Sequence, residues 1–193
     1  MSSEARQMGA QPIGPGRVVL IVGPSGSGKD TLLRLARKKI GSSDRVVFPA
    51  RIVTRTSNAP DEEAPTTPAE FAAAEIGGDF ALVWRAHGLD YAIPAAIDLH
   101  VKQGQTVVLN LSRTVIAEAR ARYANVVVVL IDAPAEVRAA RLAARGRESG
   151  ADVAGRLSRL PAGFSDADAD HVIVNTAEPE IGASMLARFI AEA

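Results

Sequence analysis

Val18-Val19-Leu20-Ile21-Val22-Gly23-Pro24-Ser25-Gly26-Ser27-Gly28-Lys29-Asp30-Thr31 is the stretch on which the fold turns. Its first five residues are aliphatic without polar alternation, the pattern of a strand buried on both faces. A glycine-rich turn follows, and helical spacing opens directly after it and runs over residues 31–40. Strand, glycine-rich turn and helix N-terminus in that order are the context that a phosphate-binding loop, Gly-x-x-x-x-Gly-Lys, requires. The glycines let backbone N–H groups curl around phosphate oxygens, and the helix N-terminus adds its partial positive charge. Lys29 then reaches the β- and γ-phosphates and neutralises charge that develops during transfer. Gly23, Pro24, Ser25, Gly26, Ser27, Gly28 and Lys29 are the candidate ATP-binding residues, and Lys29 is also a candidate catalytic residue. The plainer alternative is a glycine-rich turn with an exposed lysine. It would need all of the fixed residues to fall by coincidence between a buried strand and a helix.

The position after Lys29 departs from the common form, in which a Ser or Thr hydroxyl binds Mg²⁺. Here Asp30 comes first and Thr31 second. A carboxylate against polyphosphate is repelled unless a cation lies between them, and hard divalent cations prefer oxygen ligands. Asp30 and Thr31 are therefore candidate metal ligands and part of the ATP site. The competing reading has Asp30 serve only the helix dipole.

Further along, short aliphatic runs at 106–109, 126–131 and 172–174 alternate with helical segments at 114–123, 134–145 and 179–193. Uniformly apolar strands alternating with helices predict an α/β fold: a three-layer P-loop NTPase arrangement with a mostly parallel central sheet. Residues 50–92 break the rhythm with Pro60, Pro65, Pro68 and the acidic run Asp61-Glu62-Glu63. They predict a small lobe or flap inserted after a second strand at 45–48. Residues 1–16 are polar and rich in Gly and Pro, and read as a flexible tail ahead of a single domain over 17–193. The chain has 193 residues, formal net charge +0 and no cysteine. Neutrality gives no general attraction to nucleic acid or to an anionic membrane, so anion binding must come from local geometry. Absence of cysteine excludes disulfides and thiol chemistry. No apolar stretch approaches a membrane span or a secretory signal, so a soluble cytoplasmic protein, monomer or homodimer, is expected.

The loop resembles that of guanylate-kinase-like enzymes. The resemblance continues through Thr54-Arg55, Trp84, His87-Gly88, Tyr91, the segment 141–148 and Val174-Asn175. Within that superfamily, Lys29-Asp30 together with Asn110-x-Ser112-Arg113 resembles the ribose 1,5-bisphosphate phosphokinases of the PhnN type. The resemblance implies transfer of the γ-phosphoryl group of ATP to the 1-phosphate of ribose 1,5-bisphosphate, with Mg²⁺, giving 5-phosphoribosyl 1-diphosphate. It implies an inserted lobe that holds the acceptor, and an arginine-bearing lid at about 145–160 in which Arg145 and Arg147 are catalytic, with Arg156 and Arg159 in support. Arg141 and Asn175 are implied at the ATP site, Asn175 where the family's adenine contacts lie. Arg51, Arg55, Tyr91, Asn110, Ser112 and Arg113 are implied at the sugar phosphate acceptor.

Departures from guanylate kinases point the same way. Their second lobe arginine is Asn58 here, their guanine-reading glutamate is Val83, and an acidic residue after the next strand is Ser112. A site without carboxylates to accept from guanine discriminates that base poorly. Structural roles remain open for several of these residues: Arg51 and Arg55 as solvated charges, Asn110 or Ser112 as a helix cap, Tyr91 as lobe packing, Trp84 as core, His87 as a turn residue, and the arginines after 141 as complements of a helix dipole. Two other functions compete. One is a guanylate or other nucleoside monophosphate kinase, and the other a non-enzymatic interaction module of the same fold, for which Lys29 and the lid arginines would have no use.

Overall fold

The computed structural model describes residues 11–55, 63–86, 88–144 and 168–192. β1 (Arg17–Val22) lies at the centre of a five-stranded sheet. Around it run β2 (Val46–Val47), β7 (Thr106–Asn110), β8 (Val126–Asp132) and β9 (His171–Val174), in the order β2-β7-β1-β8-β9. Every pairing in this sheet is parallel. The aliphatic run of β1 is fully buried because side chains on both of its faces meet a layer of helices. Val18, Leu20 and Val22 join one cluster with α3 (Ile97–Lys102) and α4 (Ile116–Arg122). Val19 and Ile21 join the other with α1 (Lys29–Ile40) and α6 (Pro179–Ala191). This is the three-layer α/β arrangement with a parallel sheet that the alternation predicts.

The inserted region has its own architecture. A four-stranded mixed sheet takes the order β4-β3-β6-β5, built from β3 (Arg51–Val53), β4 (Glu63–Pro65), β5 (Phe80–Ala86) and β6 (Leu89–Pro94). β3 and β4 are parallel, while β3–β6 and β5–β6 are antiparallel. α2 (Pro68–Gly77) packs Phe71 beneath this sheet, and Thr67 and Glu70 close a reciprocal capping box at its start. The small lobe or flap expected over 50–92 is a folded layer whose sheet extends to Pro94.

Two other expectations are corrected. Residues 11–16 are not part of a frayed tail. Ile13 donates its N–H to the Arg122 carbonyl and accepts from Ala124, Gly16 donates to Val101, and Asn125 Nδ2 donates to the Pro15 carbonyl. The half-buried Ile13 side chain packs against the core, which keeps this segment on the domain. The helix expected over 114–123 is broken into a 3₁₀ turn, Arg113–Val115, followed by α4. Ser112 causes the break: its hydroxyl accepts from the Thr114 N–H and tightens the first turn.

Candidate active site

β1 delivers the chain into the loop, and Gly28 is the N-cap of α1 with φ +88°. Gly28 brings no side-chain acceptor to the helix start, so the first N–H groups of α1 have no cap of the Ser or Asp kind. That leaves a helix N-terminus suited to an anion. Packing explains why the glycines are needed. A Cβ on Gly23 would sit 2.1 Å from the Ile131 carbonyl oxygen, and one on Gly28 would sit 2.4 Å from Asn175 Nδ2. Ser27 is fully buried, and its hydroxyl has no hydrogen-bond partner among the described residues.

The loop is braced from β9 and from α5 (Ala135–Ala144). Asn175, just past β9, donates from Nδ2 to the Ser27 carbonyl at 2.8 Å and is 5% exposed. Arg141 on α5 donates to the same carbonyl at 3.2 Å and to the Asn175 carbonyl at 3.0 Å. Asn175 in turn donates its backbone N–H to Asp132 at the end of β8. Both residues that the resemblance puts at the ATP site thus touch the loop itself. In this arrangement their polar atoms hold the loop backbone in shape.

Asp30 and Asn110, far apart in sequence, meet where β1 and β7 end side by side. Asn110 Nδ2 donates to Asp30 Oδ1 at 2.7 Å. A carboxylate accepts only, so the bond fixes which amide atom is nitrogen. The other amide atom, Asn110 Oδ1, is buried and has no partner among the described residues. Ser112 is occupied as the cap of the 3₁₀ turn, and Arg113, half-buried, opens that turn.

In the lobe, the organising residue is one that sequence reasoning passed over as part of an acidic run. Glu63 is 3% exposed and sits opposite Arg51 in the β3–β4 pair. It accepts from Arg51 at 2.5 Å and from Arg55 at 2.8 Å. The signal was a strand register, which is not readable from Asp61-Glu62-Glu63. Arg51 also lies over the Tyr91 ring, and Tyr91 stacks on Trp84 with centroids 5.3 Å apart. Trp84 and Tyr91 are both buried, so both rings pack the lobe. Burial pulls the Arg55 guanidinium down, but the hydrogen bond and charge of Glu63, with Tyr91 and Asp30, outweigh it and raise its pKa. The lobe arginine therefore lies within electrostatic reach of the loop carboxylate. Arg145 and Arg147, with the lid at 145–160 and Asn58 and His87, fall outside the described residues.

Two relatives bear directly on this arrangement. The ribose 1,5-bisphosphate phosphokinase PhnN of Bradyrhizobium diazoefficiens is 50% identical over 181 residues, 94% of this chain and 91% of the relative. That of Rhodopseudomonas palustris is 51% identical over 160 residues, 83% of this chain and 82% of the relative. The chain belongs to the ribose 1,5-bisphosphate phosphokinase family. It is a kinase. Among solved structures, guanylate kinase from Anaplasma phagocytophilum superposes with a TM-score of 0.64 over 92% of this chain and 85% of its own. At 18% identity that likeness speaks for the fold, and the phosphokinase has the guanylate-kinase-like architecture. No family model matches the chain.

Proposed function

We propose that this phosphokinase transfers the γ-phosphoryl group of ATP to the 1-phosphate of ribose 1,5-bisphosphate, forming 5-phosphoribosyl 1-diphosphate and ADP. The observation that carries the reading is half identity, over nearly the whole chain, to relatives named for that acceptor. The geometry supports it: a glycine-capped helix, the Asp30–Asn110 bond at its first turn, and a lobe arginine, Arg55, that feels the Asp30 charge.

A phosphate monoester has a second pKa of about 6, so the acceptor is already anionic at neutral pH and needs no general base. The task of the protein is to hold two polyanions in line and to offset their charge. Lys29 and the N–H groups of the loop bind the donor phosphates, and Arg141 and Asn175 keep the loop in the shape that presents them. Arg51, Arg55 and Arg113 bind the acceptor, and Tyr91 holds Arg51 in place through its ring. Arg145 and Arg147, which the resemblance makes catalytic, would offset the charge of the transferring group and help to exclude water, which otherwise would accept the phosphoryl group.

Magnesium fits the residues present. Mg²⁺ on a nucleotide takes one or two protein oxygens, with phosphates and waters completing its shell. Among the described residues no group of three or more His, Cys, Asp or Glu could form an all-protein cage, which suits an ion that arrives with ATP. Asp30 and Thr31 would hold it. Accepting from Asn110 does not exhaust the lone pairs of the Asp30 carboxylate. When bound, the ion supplies charge neutralisation between the β- and γ-phosphates. Among the described residues no helix is long and apolar enough to cross a membrane, and a cytoplasmic location is part of the proposal.

The test is a coupled assay of purified protein with ATP and, in separate reactions, ribose 1,5-bisphosphate, GMP or buffer. Rapid ADP formation is expected with the sugar bisphosphate alone. A specificity constant for GMP equal to that for ribose 1,5-bisphosphate would overturn the reading in favour of a nucleoside monophosphate kinase.

A further inference from the structure

Beside the Asp30–Asn110 bond, the junction between the central sheet and the lobe holds a partly open cavity of about 140 Å³. Its walls are chemically divided. Arg34 and Arg37 of α1, Arg51 of β3 and Asn110 of β7 line it together with the apolar Phe48 and Ile93. Arg34 and Arg37 lie three residues apart on α1 and so share a face. The Arg37 guanidinium stands 5.6 Å from the centre of the Phe48 ring, which holds it at the cavity wall. Arg51 shares the Glu63 carboxylate with Arg55. In a chain of zero formal net charge, three arginines thus gather at one cavity. Arginine clusters of this kind suit a phosphate, which each guanidinium can grip through two N–H groups.

The P-loop end of the cavity demands something different. Asn110 Oδ1 is buried and accepts from no described residue, while Asn110 Nδ2 is held by Asp30. A buried acceptor without a donor is costly, and a phosphate dianion has no hydrogen to give it. A hydroxyl has. The cavity thus asks for a ligand with hydroxyls next to the P-loop and a phosphate farther away.

We propose that this cavity is the far-end subsite of the acceptor: Arg34, Arg37 and Arg51 hold the phosphate that is not phosphorylated, and Asn110 Oδ1 accepts from a sugar hydroxyl. The inference rests on the function proposed above and adds to it residues that recognise the remote end. It gives the acceptor a polarity, with the reacting phosphate toward Lys29 and Asp30 at the start of α1 and the other toward Arg34, Arg37 and Arg51. It also names the chemical class that the site selects, a hydroxylated sugar with a phosphate at each end. The competing account has Arg37 serve only the C-terminal dipole of α1, together with Lys38 and Lys39.

The experiment uses the full chain, the variants Arg34→Gln, Arg37→Gln and their double, and two measurements. In steady-state kinetics, each single variant should raise the acceptor KM by about tenfold, the loss of one charge-assisted hydrogen bond, and the double by more. The ATP KM should stay within about twofold, because the loop and not these arginines holds the donor phosphates on the proposed reading. An acceptor KM unchanged in the double variant overturns the proposal. In calorimetry, ribose 5-phosphate should bind the wild type at least about tenfold more tightly than the double variant. Tetrahydrofurfuryl phosphate, which keeps ring and phosphate but lacks the hydroxyls, should bind the wild type more weakly than ribose 5-phosphate by about the same factor. Equal binding of the two ligands overturns the role of Asn110. If the wild type fails to phosphorylate ribose 1,5-bisphosphate, the proposed function falls. The subsite is then judged by calorimetry alone, where equal affinity of wild type and double variant for ribose 5-phosphate overturns it.

Discussion

Lys29 is the first residue of α1, at the point where the loop backbone turns into the helix. On the proposed function its charge acts on the transferring group, and its half-buried side chain contributes little to packing. Lys29→Ala should leave the thermal unfolding midpoint nearly unchanged and slow phosphoryl transfer by a factor on the order of 10³. Retention of a tenth or more of the wild-type rate would remove this loop from the chemistry. Asp30, next in sequence, calls for a different measurement. If it helps to hold Mg²⁺, Asp30→Ala should raise the magnesium concentration that gives half-maximal rate, and Asp30→Ser should recover part of the loss. If it only favours the helix start, both variants should titrate with magnesium like the wild type, at a stability cost of about 0.3–1 kcal/mol. On either account Asn110 of β7 donates to one oxygen of Asp30.

At the scale of elements, the P-loop owes its shape to α5 and β9 as much as to its glycines. One carbonyl, that of Ser27, accepts from both Asn175 and Arg141. Asn175→Ala leaves a buried carbonyl with only the longer Arg141 bond, at an expected cost of about 1–3 kcal/mol. Because the lost contact positions the loop, the ATP KM should rise while the acceptor KM stays nearly constant, as initial-rate kinetics with each substrate varied would show. Similar rises in both would mean that Asn175 matters only for folding. The lobe depends in the same way on β3–β4 pairing, which places Glu63 between two arginines. Glu63→Ala leaves Arg51, whose side chain is 17% exposed, without its acid. Arg55, with a side chain 45% exposed, can rehydrate. The expected loss is therefore about 3 kcal/mol, at the low end for breaking a buried pair, and urea denaturation reads it. A change below about 0.5 kcal/mol, the range of ordinary surface substitutions, would mean that the lobe does not need this pair.

At the scale of the whole molecule, the proposed acceptor lies between the parallel sheet and the lobe sheet, and on that reading the lobe decides what the acceptor is. Val83 stands on β5 where guanylate kinases place a glutamate, and it pairs in register with Ala92 of β6. Neither side chain can accept from guanine. GMP should therefore be a negligible acceptor, and Val83→Glu alone should not make it a good one, because Asn58 supplies no cation. Coupled assays of both proteins with GMP check this. A gain of guanylate kinase activity in Val83→Glu to the level of the sugar bisphosphate reaction would mean that one carboxylate sets the specificity of the fold.

The central sheet was legible because its signals are local. Five aliphatic residues before a glycine-rich loop and a lysine describe strand, loop and helix in one stretch, and the structure places them as β1, the loop and α1. The same holds for the alternation of apolar strands with helices, which fixes three layers with no knowledge of contacts. The lobe was less legible. Its strands are short and mixed in polarity, so β3 and β4 have a fold only because each supplies the other's hydrogen bonds. Glu63 illustrates the limit: in sequence it is the last of three acids, and only register makes it the buried partner of Arg51 and Arg55. Likewise residues 11–16 read as a tail by composition, yet bridge to residues about 110 positions away. The sequence by itself determined the P-loop, the layer order and the family. Tertiary structure alone decided the Asp30–Asn110 bond, the brace on Ser27 and the meeting of Arg34, Arg37, Arg51 and Asn110 at one cavity. The physical reason is distance along the chain. A loop or a strand draws on neighbouring residues, whereas a hydrogen bond across 80 positions exists only after the sheet has brought two strand ends side by side.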